Sequence, residues 1–225
     1  MLQNLVDIFV APKAVFARLL HKPTVLLPLL LVVLSVASIQ VGYITTTDKG
    51  FLVDQFIEQA LARRPDADEA QLRGVYENLS PTTLIASAAI SSAIFITVIL
   101  LVNALYLSFI SKFGHESHRY KHWLSLVCWT GLPVVLTALA AWVTMLTGNG
   151  QVSLTALQPL SMDSLLGLNS GKQILQNLSL PQFWAMGLLV LGYRHFTGAS
   201  LAKSAVVTLA PYVIIYGVWA YFAFR

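Results

Sequence analysis

The chain has 225 residues, of which 56% are hydrophobic and only 11% carry a formal charge, and its net charge is +4 at pH 7. A soluble domain carries roughly 25% charged residues, so this composition excludes an ordinary water-soluble protein and indicates a membrane protein. The single cysteine, Cys128, excludes an internal disulfide.

The N-terminal segment, residues 1–22, is predicted to form an amphipathic interfacial helix. Pro12 suits the first turn of a helix, where its missing N–H has no partner in any case. Beyond it, apolar side chains repeat on one face, which is typical of a helix lying in the headgroup layer with its bases directed at anionic lipid. The alternative is that the segment only anchors the first span. The apolar face comprises Val15, Phe16, Leu19 and Leu20, and the candidate headgroup contacts are Lys13, Arg18 and Lys22.

Four stretches have the roughly 20 apolar residues that a transmembrane helix needs, namely residues 24–45, 83–110, 123–146 and 202–224. A fifth, residues 178–193, is short, and segments of that length are often re-entrant. We count it as a span because five crossings place the short basic loops on one side. The predicted fold is therefore all-α, a single polytopic membrane domain (1–225) built as a five-helix transmembrane bundle. Pro133 and Pro211 interrupt the third and fifth spans, and each frees a carbonyl one turn earlier.

The loops differ in charge. Loop 111–122 adds three further candidate headgroup contacts, Lys112, Arg119 and Lys121. Loop 46–82 holds seven acids against four bases, and loop 147–177 holds only Asp163 and Lys172. Short loops rich in Lys and Arg stay in the cytoplasm, so we expect a cytoplasmic N-terminus and a C-terminus on the opposite side.

The acidic loop 46–82 is predicted to form an outer helical hairpin, with helices over residues 51–63 and 66–79. Asp66 followed three residues later by Glu69 predicts a capping box at the start of the second helix. The hairpin either caps the bundle or offers a docking surface, and its sequence does not discriminate between the two.

Three histidines, His115, His118 and His122, cluster in the basic loop beside Glu116. The i,i+4 pair His118 and His122 can share a metal ion, and a carboxylate can complete the shell. Yet the spans offer no matching ligand, and a basic loop disfavours a cation. A hydrated loop near lipid phosphates is the simpler interpretation, with a pH response as another, and we expect no metal or cofactor.

Ionisable residues inside the spans would mark a transport pathway, and none lies deep in any span. A polar site within the bundle, formed by Asn103, Thr130 and Pro133, is the remaining candidate. The alternative is that small residues and Asn103 only mediate helix packing. The sequence has no nucleophile with a paired base, no phosphate-binding glycine loop and no nucleic-acid module, so we expect neither an enzyme nor a nucleic-acid partner.

Four stretches carry a family resemblance: IFVAPKAVFARLLHKPTVLLPLLL (8–31), LVNALYLSFISKFG (101–114), YKHWLSLVCWTGLPVVL (120–136) and LSLPQFWAMGLLVLGYRHFTGASLAKSAVVTLAPYVIIYGVWAYF (178–222). They resemble bacterial members of the Yip domain family, the Ypt/Rab-interacting proteins. The resemblance implies five membrane helices, a cytosolic N-terminus and, here, a bacterial inner membrane. Eukaryotic relatives bind Rab-type GTPases through a long N-terminal region; only about 22 residues precede the first span here, so Rab binding is not expected.

The sequence therefore predicts a non-enzymatic protein that organises membranes or acts as a scaffold. The expected partners are anionic membrane lipids, and other membrane proteins or a second copy of the chain. A lipid or small-solute transporter or scramblase with a polar groove in the bundle is the alternative.

Overall fold

A computed structural model describes residues 2–113, 118–168, 170 and 172–225, without the side chain of Arg63. Within these ranges the chain forms α-helices joined by short connections and no β-strand, which confirms the predicted all-α membrane fold. The helices are α1 (Gln3–Val10), α2 (Pro12–His21), α3 (Leu26–Thr46), α4 (Lys49–Arg63), α5 (Glu69–Asn78), α6 (Pro81–Ser111), α7 (Tyr120–Thr130), α8 (Val134–Thr147), α9 (Met162–Leu165), α10 (Gln173–Asn177), α11 (Leu180–Thr197) and α12 (Leu201–Ala223).

Four segments of the described chain are long and apolar enough to cross a membrane: α3, α6, the stretch Tyr120–Thr147 formed by α7 and α8, and α12. The fifth long helix, α11, has 18 residues, about 27 Å at 1.5 Å per residue, which approaches the ~30 Å hydrocarbon core. It packs between α2, α7, α8 and α12. Its last turn carries Arg194 and His195, so its mean hydropathy falls below that of the other four.

The third span is broken where Pro133 stands. Proline has no N–H for the carbonyl of Trp129, and the N–H of Leu132 donates to that carbonyl instead, at 3.3 Å. Further bonds from residue i to residue i−3 continue as far as Leu136, which is the pattern of a 3₁₀ turn. The carbonyl freed by Pro133 is thus satisfied within its own segment.

The N-terminal segment is helical and amphipathic, but it differs from the single interfacial helix we predicted. It forms two helices, α1 and α2, separated at Ala11. Of the apolar face of α2, which we expected in the headgroup layer, Val15, Phe16 and Leu19 are fully buried, Leu20 is partly buried, and α2 packs against α7 and α11. Room for it comes from Gly192, where a Cβ would lie 3.3 Å from the ring of Phe16 and 2.4 Å from Leu126.

The α1–α2 hairpin is inclined along α11. Phe16 lies 6.2 Å from the ring of His195, whereas Phe9 contacts the ring of Trp184 edge to face at 5.3 Å. Residues 184 and 195 are about 16 Å apart along a helix. The turn between α1 and α2 therefore lies closer to the start of α11 than His195 does. The outward face of α1 is an exposed apolar stripe, Leu2, Val6 and Val10.

The bundle has two chemically different ends. The basic end comprises the α1–α2 hairpin, the end of α6, the start of α7 and the end of α11 with the start of α12. The acidic end comprises the α4–α5 hairpin and the loop 148–178. A second apolar cluster, with Tyr43, Leu52 and Met145, ties α4 to α3 and α8 there.

The cap of α5 differs from our expectation. Asp68, not Asp66, is the N-cap, and its carboxylate accepts bonds from the N–H groups of Ala70 and Gln71 at 2.9 and 3.3 Å. Glu69 is therefore the first residue of the helix rather than the N3 partner of a capping box.

Candidate functional site

Five of the six predicted headgroup contacts are exposed at the basic end: Lys13, Lys22, Lys112, Arg119 and Lys121. They come from three separate parts of the chain, which the packing of α2 on α7 and α11 brings to the same end. The result is a basic rim around the end of the bundle, which we call the basic rim hereafter.

The sixth, Arg18, is not a free cation. Its guanidinium forms an ion pair with Asp7 across the α1–α2 hairpin. Asp7 is the only acid among the first 47 residues, so the sequence held a signal for this pairing that we did not use. The pair neutralises Arg18 and links α1 to α2.

Hydrogen bonds at Thr24 link the basic end to α7 in the third span. Ser125 Oγ accepts a bond from the N–H of Thr24 at 3.1 Å and donates to its carbonyl at 2.8 Å. The indole of Trp129 donates to the same carbonyl at 3.0 Å. Both backbone groups of Thr24, which precedes α3 and has no helical partner, are therefore satisfied by α7.

The histidine pair lies against the end of α11. The Nε2 of His118 lies 2.9 Å from the carbonyl of Phe196, and its ring is 5.7 Å from that of His122 and 5.9 Å from that of the buried Trp123. His115 and Glu116 lie outside the described residues. In the part of the chain that is described, no three His, Cys, Asp or Glu side chains gather as a metal site.

The three residues of the predicted polar site have separate partners. Asn103 donates to the hydroxyl of Tyr212 on α12 at 2.8 Å. Thr130 is buried and donates to the carbonyls of Leu126 and Val127 in its own helix. Pro133 is buried at the start of α8. The hydrogen bonds of the described residues therefore do not join them into one polar site.

A second link between α6 and α12 was not predicted. Tyr106 donates its hydroxyl to the carbonyl of Val207 at 2.8 Å. That carbonyl is the one that Pro211, four residues later inside α12, cannot bond. Pro211 indicates in the sequence that the carbonyl of Val207 lacks a helical donor. The sequence does not indicate which neighbouring side chain would donate to it.

The acidic end exposes carboxylates around one arginine. Arg73 lies 2.8 Å from Asp54, 3.6 Å from Glu69 and 3.8 Å from Glu77. The hydrogen bond with Asp54 and the attraction to the three carboxylates raise the pKa of Arg73, and together they outweigh the opposing effect of desolvation. Only the pair with Asp54 joins α5 to α4, since Glu69 and Glu77 lie on α5 itself, and Glu58 of α4 is also exposed.

Comparison with known proteins agrees with this architecture. A family model described as the Yip1 domain matches residues 6–222. No curated protein and no solved structure matches the chain. The match begins within α1 and ends one residue before the end of α12, and so the chain is a multi-pass membrane protein that belongs to the Yip domain family.

Proposed function

We propose that this protein is a non-enzymatic membrane organiser that gathers anionic lipid at its basic rim and presents its acidic end to partner proteins. The proposal places the N-terminus and the basic rim in the cytoplasm of a bacterium and the C-terminus across its inner membrane. The observation that carries it is the separation of charge: five exposed bases share one end, and the exposed acids of the α4–α5 hairpin share the other.

The α1–α2 hairpin supports this function by fixing where the bases stand. Lys13 lies just after the inclined turn, and Lys22 at the other end of α2. A lysine can extend its stem along apolar surface and hold its ammonium at the headgroups. Because α2 is packed on protein rather than floating in lipid, its bases keep a constant position relative to Lys121 on α7. A fixed cationic rim can concentrate anionic headgroups, each lysine contributing ~1 kcal/mol near a charged surface.

The uncharged interior also supports an organiser rather than a transporter. Ion-coupled carriers hold ionisable groups at the bilayer midplane. Here the polar groups of the predicted site are used in packing: Asn103 bonds Tyr212, and Thr130 bonds its own helix.

Energy transfer in proteoliposomes tests the lipid part of the proposal. A donor dye is attached at Ala202→Cys, an exposed position at the basic end, while the native Cys128 is fully buried. We expect stronger transfer to an acceptor-labelled anionic phospholipid than to a zwitterionic one. Replacing Lys13, Lys22 and Lys121 with Gln removes three of the five bases of the basic rim and should clearly reduce the difference.

The matched control removes the same number of charges at the other end, through Glu58→Gln, Glu69→Gln and Glu77→Gln, and should leave the preference intact. Equal transfer to both lipids in the wild type would contradict the proposal. So would translocation of a labelled lipid, or release of a trapped solute, by the unlabelled protein faster than in protein-free vesicles, because that outcome supports the transporter alternative.

A further inference from the structure

An apolar groove separates α11 from α12 and is unrelated to the basic rim. It has a volume of about 410 Å³ and is open to the surroundings of the bundle. Its walls are side chains of the two helices: Phe183, Met186 and Val190 of α11, and Leu209, Val213 and Tyr216 of α12. The groove lies in the half of the bundle nearer the acidic end, since α11 begins there and α12 ends there.

One glycine lies in the wall of this groove. Gly187 lines the groove, and a Cβ built on it would meet no atom within 4 Å. At Gly192, about one and a half turns further along α11, the space beside the glycine is occupied by the side chains of Phe16 and Leu126. Gly187 has no such protein partner among the described residues, so the space beside it is left for something else.

The surroundings of the groove indicate which kind of molecule occupies it. The groove faces the apolar surroundings of α11 and α12, where water is scarce and an empty space would forfeit the dispersion contacts of its walls. The groove is large enough for water molecules, but its mostly apolar walls offer water almost no hydrogen-bonding partners. A hydrocarbon chain supplies contacts along the whole groove and needs no hydrogen bonds.

A cation stands beyond the groove at the acidic end. The ammonium of Lys172 lies 3.6 Å from the ring centroid of Phe224, just past the end of α12. Leu178, which also lines the groove, follows α10, and α10 starts directly after Lys172 and packs on α12. No carboxylate of the described residues pairs with Lys172. Tyr216 and Phe224 are about 12 Å apart along the helix axis, so the groove leads from mid-membrane towards this cation.

We propose that the groove between α11 and α12 is a binding site for a single anionic phospholipid. One acyl chain occupies the groove beside Gly187, and the phosphate lies at Lys172. Since lipid tails are as apolar as the groove itself, no hydrophobic effect favours the bound chain over bulk lipid. Packing against the groove holds the chain, and Lys172 selects the headgroup.

Photo-crosslinking of the full chain in its own membrane tests the site without any substitution. A phospholipid with a photoreactive group at mid-chain is supplied in two forms, with an anionic and with a zwitterionic headgroup. We expect adducts concentrated on groove residues such as Met186 and Val213, and more of them with the anionic form. Adducts spread evenly over the exposed face of α6, including Ile94 and Val102, would overturn the proposal because they indicate only surrounding lipid.

Substitutions at two glycines separate the groove from general lipid contact. Gly187→Leu fills the groove, and we expect at least a tenfold loss of phospholipid retained on the purified protein, measured by native mass spectrometry. The matched control is Gly217→Leu on α12, where a Cβ also meets nothing within 4 Å but which does not line the groove; retention should be unchanged. Equal retention in both variants would overturn the proposal.

Lys172→Gln tests the headgroup contact. We expect anionic lipid to bind about fivefold more weakly, the equivalent of ~1 kcal/mol for one lysine, with zwitterionic lipid unaffected. Lys112→Gln, at the opposite end, is the control and should change neither. A preference for anionic lipid that survives Lys172→Gln would remove the headgroup assignment. These outcomes are independent of the energy-transfer test, which reports on the basic rim.

Discussion

Removal of the Tyr106 hydroxyl probes how the bundle accommodates Pro211. The hydroxyl donates to the carbonyl of Val207 at 2.8 Å, which the proline leaves without a helical donor. Tyr106→Phe keeps the ring and removes only this donor. Within the membrane the freed carbonyl would then have no water to bond.

The expected cost follows from that geometry. Hydrogen bonds between transmembrane helices contribute ~0.6 kcal/mol on average and up to ~1.7 kcal/mol. A short bond to an otherwise unpartnered carbonyl belongs in the upper half of this range, so Tyr106→Phe should lower the free energy of unfolding by about 1 kcal/mol. In a Pro211→Ala background the new N–H at position 211 bonds Val207 within the helix. There the same substitution should cost less than ~0.5 kcal/mol.

The assay is a double-mutant cycle measured by reversible unfolding in mixed detergent and lipid micelles. Tyr216→Phe serves as the control, because the Tyr216 hydroxyl makes no hydrogen bond to the described residues, and it should leave stability nearly unchanged. Equal costs of Tyr106→Phe with and without Pro211 would refute the argument, since the hydroxyl would then act independently of the carbonyl that the proline frees.

Two further substitutions test the packing of the basic end. Gly192→Ala places a Cβ 2.4 Å from Leu126. It should lower the stability of the protein by ~1–3 kcal/mol, the usual cost of overpacking, as measured by thermal unfolding. Gly187→Ala is the control, because its Cβ meets open space, and it should be neutral or slightly stabilising. Ser125→Ala removes both hydrogen bonds to the backbone of Thr24 and should lower the free energy of unfolding by about 1–2 kcal/mol; no change in a denaturation curve would show that these bonds are not needed to hold α3 on α7.

Helix positions in this chain follow from composition and proline placement. Long apolar runs can satisfy their backbone in lipid only as helices, so α3, α6 and α12 are predictable from hydropathy alone. Pro133 and Pro211 similarly predict where backbone bonding fails. The helix positions and the proline breaks both depend on interactions within one segment, and these can be predicted from the sequence of that segment alone.

Contacts between segments are less predictable, and the N-terminal hairpin illustrates why. The apolar face of α2 is equally compatible with lipid and with protein, because lipid tails and a protein core both offer leucine and phenylalanine side chains an apolar environment. The choice depends on Gly192, 176 positions after Phe16 in the chain, whose missing side chain makes room for the ring. Likewise the Asp7–Arg18 pair requires the turn at Ala11, which the apolar pattern of residues 12–20 does not reveal.

The lipid groove escaped sequence analysis for a related reason. Gly187 is one of 13 glycines, and nothing in its neighbourhood distinguishes a glycine that admits a protein side chain from one that leaves a space. Only the packing of α11 on α12 separates the two cases. The headgroup cation Lys172 was visible as the single base of its loop, but its position over Phe224 depends on the fold of α10 against α12.

The central claim is that the bundle carries its charges on two opposite faces of the membrane, and labelling of two cysteines tests it most directly. Lys112→Cys and Glu69→Cys are made in separate variants, with the native Cys128 fully buried, and intact cells are treated with a membrane-impermeant maleimide before and after permeabilisation. Because α6 spans about 46 Å between these positions, we predict that Glu69→Cys is labelled in intact cells and Lys112→Cys only after permeabilisation. Labelling of both from the same side would contradict the account.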